Sequence, residues 1–282
     1  MKLCKKINKM LTLKNEIKLS GIGLHSGKIS TVRLLPSDIC GITFKTTNGL
    51  YDLSTAVVEE DSRLTGFSLP DGTLIRTAEH LLASIVGMEL DAVTIVLEGE
   101  EVPIMDGSSY TFASAINETG YSDVSGEIHK KMVSTPIVVE NRKENKIISV
   151  FPSENLRVTY IIEYPDTPIG VQKVSYDITR EAFLKTISKA RTFGLTYELD
   201  FLKKANLAKG GSLNNALVFG KDTLLNKEGL HFTLECVTHK VVDLLGDLAL
   251  VGSIPIGHYL GICTGHAMHK KLVERLKRTN LY

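Results

Sequence analysis

Two segments combine a helical period with polar groups where apolar ones would complete the face. In THKVVDLLGD, residues 238–247, His239 and Asp243 stand four apart, and Asp247 continues the line one turn further on. Val241, Val242, Leu244, Leu245 and Leu248 fill most of the remaining circumference. The pattern predicts a buried helix over 238–250 with an imidazole and two carboxylates on one stripe. In TAEHLLASIVG, residues 77–87, Thr77 can cap a helix whose first turn carries Glu79 and His80 ahead of Leu81, Leu82, Ile85 and Val86. HLLASIVG and HKVVDLLG each run from a His to a Gly seven residues later, an internal echo that predicts two similar halves.

The remaining pattern is mixed. Residues 29–37 and 91–99 alternate or run apolar with β-branched residues and predict strands. Pro70-Asp71-Gly72 centres a hairpin-like passage, and YTFASAINET before Gly120 predicts a second helix. The polar stretch 122–131 reads as a connection between the halves. Beyond it, 134–140 and 146–153 predict a β-hairpin, and Val158, Tyr160 and Ile162 share one face of a strand. Segments 178–190 and 195–208 read as helical, 210–220 as strand, and 266–279 as a closing helix. The expected class is α+β, with one unit over residues 1–123 and another over 128–282.

Composition narrows the classes of function. At 43% hydrophobic and 23% charged, the 282 residues form a globular chain rather than a disordered one. A net charge of +1 gives no basic face for nucleic acid. Cys4, Cys40, Cys236 and Cys263 are far apart, with no CxxC, and read as reduced thiols. The basic N-terminal stretch has no signal-peptide core, and no run approaches the roughly 20 apolar residues of a spanning helix. A soluble, cytoplasmic, monomeric protein is expected.

Buried charges need compensation. A divalent cation would supply it, because a neutral His and a carboxylate are both good zinc ligands. A His–Asp pair that satisfies itself is the competing reading of HxxxD alone. If the two helices face each other, His80, His239 and Asp243 reach one ion and leave its fourth position open, the arrangement of catalytic rather than structural zinc. Glu79, beside a ligand, is then placed to act as a base on water.

Further short motifs occur in order: IGLHSGK at 22–28, TAEH at 77–80, VPIMDGS at 102–108, ARTFG at 190–194, GGS at 210–212, HKVVDLLGD at 239–247 and GHA at 265–267. From about residue 13 to 277, this set resembles the UDP-3-O-acyl-N-acetylglucosamine deacetylase family of lipid A biosynthesis. The resemblance implies two α/β domains, each a sheet with packed helices, the helices facing inward around a zinc ion held by His80, His239 and Asp243. It implies hydrolysis of the acetamide on a UDP-linked acylated glucosamine, with Glu79 as general base and His266 as a second acid–base group oriented by Asp247. Thr192 matches a hydroxyl that helps hold the tetrahedral oxyanion.

By the same resemblance Lys240 binds the polar head, although on helical geometry it cannot face the same way as His239. Phe193 and Gly211 line a passage for the acyl chain, and Tyr164 stacks on uracil, in a loop one residue longer than usual. His25 reads as structural, and His129, His231, His258 and His269 as ordinary surface or core residues. The chain departs from the family pattern at Cys263, where relatives carry a diphosphate-binding Lys, and at Met268, His269 and Lys270, where Leu-Asn-Asn is common. Rival readings are a zinc amidohydrolase for another sugar and an inactive binding module. No ligand or Glu79 has been lost, which disfavours the module.

Overall fold

The alternation at Val32 and Leu34 and at Val93 and Ile95 places fully buried side chains on adjacent strands. The computed structural model describes residues 5–59 and 65–279. Cys4 and the side chain of His129 lie outside that description. The fold is α+β. Its helices are α1 (Glu79–Gly87), α2 (Tyr110–Thr119), α3 (Arg180–Lys185), α4 (Leu199–Lys204), α5 (Glu235–Leu248) and α6 (His266–Arg278).

Two five-stranded sheets share one connectivity. The first has the spatial order Ile17–Ile22, Ile29–Pro36, Ala92–Glu98, Gly41–Lys45, Leu50–Asp52. The second runs Ile137–Asn141, Lys146–Phe151, His258–Ile262, Arg157–Tyr164, Gly170–Asp177. In each, two antiparallel pairs form before a last strand inserts between them, antiparallel to one neighbour and parallel to the other. The last α-helix before that inserted strand is α1 in the first half and α5 in the second, and another follows it, α2 or α6. The echo between HLLASIVG and HKVVDLLG therefore marks topologically equivalent helices. Both are buried almost throughout.

The echoed glycines explain how these helices pack. A Cβ on Gly87 would lie 2.2 Å from the Phe183 ring of α3, and one on Gly246 would lie 2.2 Å from the Glu79 carbonyl oxygen. Helix α5 thus touches α1 backbone to backbone at the residue that begins α1.

Several local expectations change. The polar stretch read as a connection forms the strand Tyr121–Lys130, antiparallel to Lys5–Leu13. Its period is hidden by polar neighbours: Val124 and Ile128 pack near Met10, and Gly126 lies between them with no room for a Cβ. Segment 178–190 shortens to α3 and a single 3₁₀ turn, Ile187–Lys189, and 195–208 to a 3₁₀ turn and α4. Only Leu217–Phe219 of 210–220 is strand, parallel to Phe193–Leu195. Asn215 explains the difference, because its amide binds the Gly210 carbonyl and accepts from the Ser212 N–H, closing a turn instead. Helix α5 starts at Glu235, one turn before the expected start. Thr77 does not cap α1. It sits at φ 54°, and its hydroxyl donates to Glu101 instead. Among the described residues no helix is long and apolar enough to cross a membrane.

Candidate active site and metal cluster

Equivalent helices bring equivalent histidines together. The rings of His80 on α1 and His239 on α5 meet edge to face with centroids 4.9 Å apart. One turn along α5, Asp243 joins them, and the ligand atoms of all three lie within 4.8 Å of one another. The matching position on α1 is Ser84, whose hydroxyl instead donates to its own helix at Leu81 O. The duplicated fold therefore yields an asymmetric cluster.

Hydrogen bonding and burial orient the groups of the cluster. The Nδ1 of His239 donates to the Ala190 carbonyl at 2.9 Å, which leaves Nε2 as the ring nitrogen turned toward the cluster. That nitrogen lies 3.1 Å from Asp243 Oδ1. Burial opposes ionisation of Asp243, but Lys240, His239 and His266 hold its pKa well below the usual carboxylate range. Burial, with His239 beside it, pushes His80 down to about 3, which makes it a neutral imidazole. Among the described residues its buried Nδ1 has no hydrogen-bond partner. A neutral His80, a His239 whose Nδ1–H is fixed on Ala190 and the Asp243 carboxylate converge in a donor set that suits a divalent cation. The self-satisfying His–Asp pair leaves His80 unexplained.

Lys240 does reach the site. Its Nζ donates to Asp243 Oδ2 at 2.8 Å and lies 5.1 Å from the Phe193 ring. Lys240 is not on the His239 stripe, but its long side chain reaches Asp243, its i+3 neighbour. Phe193 in turn meets Tyr164 edge to face at 5.7 Å. Burial opposes its charge, but Asp243 and then Tyr164 raise the Lys240 pKa above its ordinary value.

A second, adjoining cluster contains the acid–base candidates. Glu79 opens α1, and its Oε2 accepts the Thr65 N–H at 3.1 Å. Burial, then Asp243, raises its pKa to about 7, although His266 pulls the other way. His266 opens α6 and donates from Nδ1 to Asp247 Oδ2 at 2.7 Å. Its Nε2 lies 3.9 Å from both Glu79 Oε1 and Asp243 Oδ2. Burial works against the charge, but Asp247 and Asp243 raise its pKa to about 9. Asp247 is fully buried and also accepts from the Thr65 hydroxyl.

His269, expected to be ordinary, is part of this cluster. It is fully buried and donates from Nδ1 to the same Asp247 oxygen at 2.7 Å. The spacing of His266 and His269, one helical turn on α6, was the available signal. Thr65 gave none, being far from every motif. His231 and His258 fit the ordinary reading: the first hydrogen-bonds Lys189 O and the second Thr159.

The remaining predicted residues sit around these clusters. Thr192 is fixed by its backbone, donating to Gly107 O at 2.7 Å and accepting from Leu217 N. Beside it, buried Arg191 binds Glu235, Glu228 and the Gly229 carbonyl. Gly211 follows a turn in which Gly210 N–H donates to Leu24 O and Ala208 N–H to His25 Nδ1, which makes His25 structural as expected. Among the described residues no hydrogen bond joins Thr192 or Gly211 to the clusters. Cys40, Cys236 and Cys263 are free thiols, and Cys263 occupies a positive φ of 51°.

Residues 10–278 match the family described as UDP-3-O-acyl N-acetylglycosamine deacetylase. Similar proteins carry the name UDP-3-O-acyl-N-acetylglucosamine deacetylase. One from Oleidesulfovibrio alaskensis is 39% identical, over 94% of this chain and 88% of the relative. A second, from Nitratidesulfovibrio vulgaris, is 39% identical over 94% of this chain and 87% of its own. A third, from Chlamydia caviae, is 36% identical over 94% and 97%.

Proposed function

Since the chain belongs to the UDP-3-O-acyl N-acetylglycosamine deacetylase family, we propose that it is the zinc-dependent hydrolase that removes the N-acetyl group of a UDP-3-O-acyl-N-acetylglucosamine in lipid A biosynthesis. It would act in the cytoplasm as a monomer of two domains meeting near residues 123–128. The observation that carries the reading is the position of His266 Nε2, 3.9 Å from both Glu79 and Asp243, with the His80–His239 pair alongside.

His80, His239 and Asp243 would hold the zinc ion. Such an ion supplies Lewis acidity and draws the pKa of a water from about 15.7 toward about 7. Glu79, ionised, takes one proton from the attacking water as its oxygen adds to the acetamide carbonyl. The oxyanion that forms is held by the Thr192 hydroxyl and by the charge on His266. At neutral pH His266 keeps Nδ1–H on Asp247 and carries its mobile proton on Nε2. That proton passes to the amine nitrogen as the C–N bond breaks, giving acetate and a free amine. Lys240 binds the polar head, Tyr164 stacks on uracil, and Phe193 with Gly211 lines the acyl passage.

The test is acetate release from the UDP substrate alongside metal analysis. Activity should require the 3-O-acyl chain, since each buried CH₂ contributes about 0.8 kcal/mol. Equal turnover of acylated and unacylated sugars would remove the lipid assignment and leave a zinc amidohydrolase. No acetate from metal-loaded protein would remove both.

A further inference from the structure

Asp247 is held by more donors than a simple His–carboxylate pair requires. Its Oδ2 accepts from His266 and from His269 at 2.7 Å each, and its Oδ1 accepts from the Thr65 hydroxyl. Both imidazoles are more than nine-tenths buried, and their rings are 6.0 Å apart. On its far side His269 Nε2 meets the Tyr160 hydroxyl at 2.8 Å, and that hydroxyl meets Thr264 Oγ1 at 2.7 Å. Tyr160 is itself fully buried on the second sheet. The chain Thr264–Tyr160–His269–Asp247–His266 thus runs from the sheet to the acid–base pair.

We propose that His269 is a positioning residue for the proton donor: anchored by Tyr160, it fixes Asp247 so that His266 Nε2 faces Glu79 and the metal cluster. The inference rests on the function proposed above.

The donor and acceptor roles follow from chemistry. A carboxylate only accepts, so His269 Nδ1 must carry a proton. Burial lowers the His269 pKa, so the ring is neutral and its Nε2 accepts the Tyr160 hydroxyl proton. The Tyr160 oxygen is then free to accept from Thr264. Every member has one orientation, and rotation of any ring would leave buried polar atoms unpaired. Replacing His269 by an apolar residue leaves Asp247 Oδ2 with a single side-chain donor. The carboxylate gains freedom to turn, and the ring it steers loses its aim. His269 touches no reacting atom, so its effect falls on catalysis and not on substrate binding.

His269→Leu, His269→Asn and Tyr160→Phe in the full, metal-loaded chain test this. His269→Leu should lower kcat roughly tenfold, the low end for loss of a supporting partner, with KM and metal content unchanged. His269→Asn, which keeps an N–H donor, should recover part of kcat. Proton NMR gives a readout independent of turnover: the wild type should show two downfield ring N–H signals, from His266 and His269. His269→Leu should remove one and shift the other. Wild-type kcat in His269→Leu, or an unmoved His266 signal, would overturn the proposal. If His269→Leu fails to fold, Tyr160→Phe decides: a shifted His269 signal with lowered kcat supports it, and no change in either overturns it. A wild-type chain without deacetylase activity would defeat the proposed function, leaving the two resonances to decide the positioning.

Discussion

Gly246 of α5 rests on the main chain of Glu79, where a Cβ would fall 2.2 Å from the Glu79 carbonyl oxygen and 2.6 Å from its Cα. The helix bearing two of the three proposed ligands is therefore spaced from the proposed base by backbone contact. Gly246→Ala must push α1 and α5 apart, since neither partner atom is a flexible side-chain end. Overpacking of this kind costs about 1–3 kcal/mol, and the displacement should lower kcat as well. Thermal unfolding and steady-state kinetics on one preparation check both. An unchanged melting temperature would contradict the contact.

One equivalent of metal should accompany the purified protein. His80→Ala should abolish stoichiometric binding, because three ligands can ill spare one. Its Nδ1 makes no hydrogen bond among the described residues, so the variant should still fold. Elemental analysis beside circular dichroism separates the outcomes. Retained metal in a folded His80→Ala protein would remove His80 from the ligand set.

The pH profile of kcat/KM should be bell-shaped. Lowering pH protonates Glu79, whose pKa is raised to about 7, and removes the base. Raising pH through about 9 takes the proton from His266 and removes the acid. A dication nearby favours the deprotonated form of each, so the loaded enzyme should show both limbs at lower pH than these values. The limbs belong to the coupled pair. Glu79→Gln should keep its metal yet lose about 10²-fold or more in rate. A flat profile between pH 6 and 10 would exclude this pair.

Glu235→Ala should destabilise strongly without touching the clusters. Glu235 is fully buried and accepts from the Arg191 side chain and backbone and from His231 N–H. Its removal leaves buried Arg191 with only Glu228 and the Gly229 carbonyl and strips two backbone N–H groups of their acceptor, at a cost of about 1–3 kcal/mol. Denaturant titration measures the loss. Glu235→Gln, which keeps acceptors, should recover part of it.

How far the sequence reaches is visible in particular residues. His239, Asp243 and Asp247 were legible because helical spacing alone aligns them, and His80 because its helix repeats the same His-to-Gly interval. The sharing of Asp247 by His269 was not legible, because it depends on where α6 docks. Thr65 reaches Asp247 across 182 residues, and no local pattern encodes that. Strand Tyr121–Lys130 was hidden because only Val124 and Ile128 mark its inner face. The bend of Lys240 depends on a partner, Asp243, that competes with solvent for its charge.

The proposed metal cluster would draw one ligand from the first repeat and two from the second. Any ion bound there is also a clasp across the seam between the repeats. Ligation and docking are then one equilibrium: free ion at 1,000 times its dissociation constant would add about 4 kcal/mol to the folded state. A chelator should therefore do more than silence the chemistry. It should loosen the join between α1 and α5, making metal supply a determinant of how long the folded chain survives.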